Sequence, residues 1–475
     1  MDIIKYLNNN EFDTVDRTFR AQIAVWYSWY RANVRRFHRY RVYRGAGSYV
    51  NCRRKSMGMA KKLCEDIADL LLNERVQITL TDERANAYVE DVLQKNNFGV
   101  LGNEYQERKA YCGTVAYVPY IRDMVVDGEG NVVDGAGIAI NYVTAKDIYP
   151  LSWENGVITE AAFLFTSTFR NKKYGRLEFH RQNEDKTYYI ENRVFRLGKS
   201  DDGQELTESE WREIGPYVGL AARVETGSTE PQFVIDKLNI VNNADDDVSN
   251  PMGVAIFANA IDYLQKLDLE FDSYSNEFSL GRKRIYVAPE MLTDKNGSMV
   301  FDPDDTVFYQ LSEDYSQQLQ KDPIKESNMQ LRVEEHSKAI NDDLNYLSMR
   351  CGFGTERYKF DNGNITTATQ VISENSDMFR TIKKHELILD AALKQLVRII
   401  IRLGNVLGAG LPEDTEITID FDDSIIEDKT AERQSDRQEV SMGVMSRAEY
   451  RAKWYGETLE QAQRSLPEQE SGVLE

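Results

Sequence analysis

The chain has 475 residues, 41% hydrophobic and 29% charged, enough to build sizeable cores and to exclude a globally disordered or fibrous protein. Its 78 acidic residues against 58 basic give a net charge of −20, which excludes a uniformly basic nucleic-acid binder but not a local basic surface. No apolar run reaches about 18 residues, so no ordinary transmembrane helix is expected, and at about 150 residues per domain the length allows about three domains.

The cysteines are Cys52, Cys64, Cys112 and Cys351, none in a CxxC pair. They predict no disulfide framework and synthesis in a reducing, intracellular setting. The start, MDIIKYLNNNEF, lacks the basic end, long apolar core and small-residue cleavage site of a signal peptide.

Residues 14–30, TVDRTFRAQIAVWYSWY, read as a helix with a dense aromatic face. From 31 to 62 there are eleven basic residues and no acid: Arg31, Arg35, Arg36, Arg39, Arg41, Arg44, Arg53, Arg54, Lys55, Lys61 and Lys62. With +11 there, the remainder carries −31, so charge is strongly segregated. Residues 56–73 read as an amphipathic helix, with Met59, Leu63, Ile67, Leu70 and Leu71 at three- and four-residue steps. A strand follows at 76–80. Thr81 then caps a helix running to Gln94, with Asp82 and Glu83 in its first turn. A further helix covers 101–111.

Between 114 and 200 the period changes. Short β-branched and aromatic runs such as VAYVPYI, AAFLFTSTF and RVFRL alternate with turn signals at Asn155-Gly156 and Asn171-Lys172-Lys173. This predicts an antiparallel β-rich region, with a solvated hairpin or loop at 127–137. Residues 200–232 read as surface connections.

Pro251 suits a first helical turn, and the stretch to Phe278 keeps helical spacing for about seven turns. Two strands, RIYVA and TVFYQL, are expected within 284–311, and a helix over 328–350. The Gly-containing interruption CGFGTERYKFDNGNITT leads to the strongest helix signal, Ala368 to Leu403, roughly 50 Å long. Its IIIRL end, apolar almost all round, predicts tight packing. A strand at 416–421 opens the tail, where residues 411–440 hold eleven acids against three bases. Ser446 and Glu449 stand as a capping box, and the last residues, SLPEQESGVLE, read as frayed. There is no internal repeat.

No cofactor motif is present. GAGSYV (45–50) and GEG (128–130) lack the spacing of a nucleotide loop, and there is no G-x-S-x-G elbow. His38, His180, His336 and His385 are isolated, so no metal site is expected from them. The acidic clusters Asp245–Asp247 and Asp420, Asp422, Asp423, Glu427 and Asp428 do not fit a twelve-residue calcium loop. They read as solvated turns or intersubunit ion pairs, with a divalent site at 420–428 left open. The aromatic strands read as a packed sheet in preference to a sugar cleft. The basic segment, interleaved with Phe37, Tyr40, Tyr43 and Tyr49, has three readings: contact with an acidic face of another copy, contact with nucleic acid, or a solvated face.

Five stretches carry a family resemblance: LLLNERVQITL (70–80), NPMGVAIFANAIDYLQKLDLEFDSYSNEF (250–278), RKRIYVAPEML (282–292), TTATQVISENSDMFRTIKKHE (366–386) and FDDSIIEDKTAERQSDRQEVSMGVMSRAEY (421–450). In order and phrasing, over about 15–455, the chain resembles the portal proteins of tailed bacteriophages, of the type found in phages and prophages of Gram-positive bacteria. The resemblance implies an α+β portal fold: long stem and wing helices, a β-rich wing segment and a small clip domain. It divides the chain into a wing (1–250), a first stem helix (251–280), a clip (281–327), a second stem helix (328–350), a tunnel loop (351–366), a long wing helix (367–410) and a crown-side carboxyl region (411–475).

The resemblance further implies a virion protein at one capsid vertex, assembled in the bacterial cytoplasm as a ring of about twelve copies, or about thirteen when isolated. Double-stranded DNA is held non-specifically in its channel. Its other partners are terminase, the major capsid and scaffolding proteins, and a head-completion protein; no membrane is involved. Tunnel-loop candidates are Thr355, Glu356, Arg357, Lys359 and Asp361, and clip–stem candidates are Lys321 and Lys325. The basic segment then serves ring, capsid or scaffold contacts. The chain departs from closer relatives at Thr366-Thr367-Ala368-Thr369, where they carry a Ser-Gly-x-Ala phrase. No enzyme activity is implied, since ATP hydrolysis belongs to the terminase. The competing readings are another phage structural or DNA-binding module acting through 31–62, and a carboxylate-dependent hydrolase in the β-rich region.

Overall fold

The computed structural model describes residues 2–45, 48–73, 75–122, 125–126, 132–134, 137–198, 203–281, 283–287, 308–310, 324–355, 357–360, 368–421, 429–455 and 458–466. Near the amino terminus, Asp16 caps the helix Arg17–Tyr30, its carboxylate accepting from the Thr18 amide. Phe19, Ile23, Trp26 and Trp29 recur at helical spacing and are all buried. They meet the buried face of Met59–Leu71, which supplies Leu63, Ile67 and Leu71. Helices Glu83–Lys95 and Phe98–Cys112 complete this layer. Asp82, one residue past the predicted Thr81, caps the first of these by accepting from the Ala85 amide at 2.8 Å. Thr81 instead faces Thr415 on the adjoining strand pair, at 3.1 Å between hydroxyls.

The β-rich region is antiparallel as expected. Ile148–Glu154, Val157–Phe169, Lys172–Gln182 and Tyr188–Leu197 form a meander, extended by Gln204–Glu205 and Arg223–Glu225 on the last strand. Two of its turns are two-residue loops with both residues at positive φ, Asn155-Gly156 and Arg170-Asn171. That is the geometry which matches the right-handed twist of the flanking strands. A second sheet orders Val234–Lys237, Thr114–Arg122 and Gly137–Thr144. Val125–Val126 pairs with Val132–Asp134, the latter within the predicted 127–137 hairpin or loop and the former just before it.

Two helices begin later than predicted. The first starts at Ile261, preceded by a buried irregular run from Pro251 and a short 3-10 turn at Ala258–Ala260. Its amides are already committed elsewhere: Met252 to the Asn250 side chain (2.9 Å), Gly253 to Thr114 Oγ1 (2.8 Å) and Ile256 to the Ala110 carbonyl (2.8 Å). Of these, the Ile256 amide is one that a helix begun at Pro251 would need for its own ladder. The second begins at Val333 and ends at Arg350.

Ile261–Leu280 and Val333–Arg350 pack antiparallel: Tyr263 stacks on Tyr346, Lys266 bonds Asp343 (2.7 Å), and Glu277 bonds Arg332 (3.0 Å). Between them in sequence lies a three-stranded sheet. In it, Arg284–Val287 pairs parallel with Phe308–Gln310 and antiparallel with Ile324–Ser327.

The 39-residue helix Ala368–Val406 exceeds its predicted end by three residues and spans about 58 Å. Leu389, Leu393, Leu396, Val397, Ile399, Ile400 and Ile401 are all buried, so the packing expected of the IIIRL run is present. The helix lies on the sheet of Val234–Lys237, Thr114–Arg122 and Gly137–Thr144 and on the helices Met59–Leu71 and Glu83–Lys95, and Arg402 donates to Ser228 Oγ (2.8 Å) and the Pro231 carbonyl (3.2 Å). At its far end Ile417–Asp420 pairs with Gln77–Leu80, tying the carboxyl-terminal third to the amino-terminal third. The Ser446–Glu449 capping box is formed, opening Arg447–Tyr455.

Candidate functional site

The basic segment is split by the fold into an anchored base and an exposed hairpin. Arg39–Gly45 and Ser48–Arg53 pair antiparallel, with Arg39 opposite Arg53, Arg41 opposite Asn51 and Tyr43 opposite Tyr49. Opposed residues share a face, so Arg39, Arg41, Arg53, Tyr43, Tyr49 and Asn51 form one surface, and every one of them is exposed. Arg41 Nε donates to Asn51 Oδ1 at 3.2 Å. Arg35 and Arg36 are exposed on the short helix before it, and Arg31 lies over the Tyr27 ring at 5.4 Å. Arg44 lies on the first strand, with its side chain outside the described residues.

Arg54 is turned inward. Its Nη1 donates to the Phe37 carbonyl (2.8 Å), and its guanidinium lies 4.2 Å from the Phe37 ring centroid and 5.2 Å from that of Tyr40. The hairpin's two ends are clasped by the helix Ile261–Leu280. His38 Nε2 meets Asp268 Oδ2 at 2.9 Å, while Asp268 Oδ1 accepts from Ser56 Oγ and the Met57 amide. Asp272 accepts from the Lys55 amide at 3.0 Å. The other His38 nitrogen, Nδ1, accepts from the Val34 amide, so the ring donates to Asp268. A cleft of about 420 Å³ opens at this base, lined by Ala32, Arg53, Arg54, Lys55, Ser56 and Phe271. Lys61 and Lys62 are held by Glu107 and Asp66.

Of the loop candidates, Thr355, Arg357 and Lys359 are exposed, whereas Glu356 and Asp361 lie outside the described residues. The exposed positions alternate with buried anchors. Tyr358 Oη donates to Asp66 Oδ2 (2.7 Å), and the Phe360 amide donates to Asn341 Oδ1 (2.7 Å). Burial, reinforced by Asp66, pushes the Tyr358 phenol well up. Gly352 and Gly354, both at positive φ, let the chain leave the second helix of the pair and turn back on itself. Lys321 lies outside the described residues; Lys325 sits opposite Tyr286 in the small sheet, its side chain likewise not described.

The histidines do not converge. His180 pairs with Glu178, His336 lies 3.7 Å from Glu277, and His385 is driven down to about 3 by burial, aided by Lys109 and Lys384. Among the described residues, no group of His, Cys, Asp and Glu is placed to hold a metal ion. Asp245 and Asp247 accept from local amides as turn residues, and 422–428 lie outside the described residues.

Two buried ionic contacts carry no local sequence signal. Lys109 meets Asp236, and Glu270 faces Asp343 across the helix pair. Burial first, and then Asp343, push Glu270 up to about 7.

A family described as "Phage portal protein, SPP1 Gp6-like" matches residues 9–472, nearly the whole chain. The chain belongs to this family of phage portal proteins, capsid components of the head–tail connection that serve genome packaging. No curated protein matches the chain. Among the described residues, no helix is long and apolar enough to cross a membrane.

Proposed function

We propose that this chain is the portal subunit of a phage head. About twelve copies close into a ring at one capsid vertex. Duplex DNA passes along the axis during packaging and ejection. The observation that carries the reading is the family match over 9–472. The antiparallel helix pair supports it as the stem: Leu269, Phe278, Tyr346 and Met349 all point outward and are 44–51% exposed. Exposed apolar side chains on both helices suit packing against the same helices of neighbouring copies.

The small sheet of 281–327 then serves as the clip, docking terminase and later the head-completion protein. The loop after Arg350 is the tunnel loop, with Arg357 and Lys359 meeting phosphates in passing. A channel must not hold DNA tightly, because each neutralised phosphate adds salt-sensitive affinity. The net charge of −20 meets that requirement. The subunit is passive, guiding and retaining DNA while a separate motor hydrolyses ATP.

Single-particle imaging of the purified protein, alone and with scaffold, tests this. Rings with a channel wide enough for duplex DNA are expected. A monomer under both conditions that hydrolyses ATP at a motor-like rate overturns the reading. A second reading, a head-associated DNA-binding module, is favoured by the exposed Arg/Tyr face of the 39–53 hairpin alone; it predicts tight duplex binding by a monomer.

A further inference from the structure

Resting on the ring reading, we propose that the hairpin Arg39–Gly45/Ser48–Arg53 is an arm that lies on the stem helix pair of the neighbouring copy. An isolated two-stranded hairpin is marginal in water, and this one, clasped at its base, exposes most of its two strands. Tyr43 is 58% exposed, Tyr49 64% and Val42 44%. Three arginines and two tyrosines on one face need a partner that offers both carboxylates and apolar surface.

Ring symmetry says where that partner stands. The arm's base is clasped at Asp268 and Asp272 of its own stem helix. Rotation about the ring axis leaves height unchanged, so the neighbour's residues 268–272 stand at the level of that base. Strands of this length reach about 20 Å. Within that reach of the same level, the neighbour presents exposed Asp342, beside the Asp343 that bonds Lys266, and exposed Glu334 and Glu335 farther along the helix. Exposed Leu269 stands at that level on the other helix of the pair, and exposed Tyr346 lies one turn beyond Asp342. The arm carries no acidic residue, since none occurs from 31 to 62. Charge and apolar surface therefore match across the two faces.

The test joins the two faces covalently in assembled rings. In N51C/C52S, the arm carries its cysteine on the Arg/Tyr face; D342C, or E335C in a second variant, supplies the stem cysteine. A bismaleimide with a spacer of about 10 Å, of the order of the 5–8 Å between facing residues plus side-chain play, is applied to imaged rings. A denaturing gel is expected to show a ladder of covalent multimers that requires both cysteines. Rings that yield only monomers on the gel for both stem variants overturn the arm and leave the ring reading intact. Absence of rings in the unmodified protein overturns the ring reading and the arm with it. As an independent readout, R39E/R41E/R53E is expected to raise the fraction of dissociated subunits about tenfold, with recovery by E335K/D342K. If instead those rings are as stable as wild type and only duplex affinity falls, the occupant is DNA and the proposal is overturned.

Discussion

Lys109 Nζ lies 2.9 Å from Asp236 Oδ1, and both side chains are fully buried between the helix Phe98–Cys112 and the strand Val234–Lys237. Gln106 Nε2 donates to the other carboxylate oxygen at 2.7 Å. Burial lowers the Lys109 pKa, and the Asp236 charge opposes that shift. Removing one partner leaves an uncompensated buried charge. Asp236→Ala is therefore expected to cost about 3–5 kcal/mol, whereas a Lys109→Met/Asp236→Leu double replacement recovers most of the loss. Urea midpoints of the three proteins decide it; equal losses for single and double variants contradict the argument.

Gly113 and Gly253 meet backbone to backbone. A Cβ on Gly113 falls 2.2 Å from the Gly253 carbonyl oxygen, and Gly113 also sits at φ +79°. That contact fixes how the buried run before the helix Ile261–Leu280 packs on the end of the helix Phe98–Cys112. Gly113→Ala is expected to destabilise by more than about 3 kcal/mol or to abolish soluble protein, since both strain and a backbone clash result. Gly99→Ala, in the helix that Gly113 ends, with nothing within 4 Å of the new Cβ, is the control. It is expected to be neutral or to stabilise by up to about 1 kcal/mol. Thermal unfolding of the pair separates them.

The loop after the helix Val333–Arg350 is held by Tyr358 on Asp66, at 2.7 Å. Tyr358→Phe keeps the ring in place and strands one carboxylate oxygen, a loss of about 1–2 kcal/mol. Local opening rises more than global unfolding. Limited proteolysis is expected to cut after Arg357 or Lys359 several-fold faster in the variant, with cleavage elsewhere unchanged. Uniform acceleration across the chain argues against a local anchor.

Elements whose signal is local were legible. The long helix, the 59–71 helix and the meander around Asn155-Gly156 all announce themselves in periodicity or turn chemistry. The start of the helix Ile261–Leu280 was not, because periodicity through 251–260 says nothing of the Ile256 amide captured by the Ala110 carbonyl or of the backbone contact between Gly253 and Gly113. The pairing of Ile417–Asp420 with Gln77–Leu80 joins strands from opposite ends of the chain, and no local pattern encodes it. The basic segment was visible as composition, but which arginines share a face depends on the strand register. Arg54 in particular reads like its neighbours and yet is spent on the Phe37 carbonyl and ring.

Glu270 and Asp343 set the pH dependence of the antiparallel pair Ile261–Leu280 and Val333–Arg350. Glu270 Oε2 and Asp343 Oδ2 are buried without a hydrogen-bond partner, and Glu270, its side chain 19% exposed, is raised from its ordinary 4.5 to about 7. A carboxyl whose folded pKa lies above its unfolded value binds its proton more tightly in the native state. Its contribution is therefore fully present below about pH 4.5 and lost as pH rises through about 7. Discounted for solvent screening, the loss is about 1–2 kcal/mol. Lys266, 2.7 Å from Asp343, opposes the shift and Asp342 reinforces it. Glu270→Gln keeps a donor toward Asp343 at every pH. The variant is expected to match wild type near pH 5 and to exceed it near pH 8 by that amount, read as the difference in urea midpoint between the two proteins. A difference that is constant from pH 5 to pH 8 removes Glu270 as the titrating group.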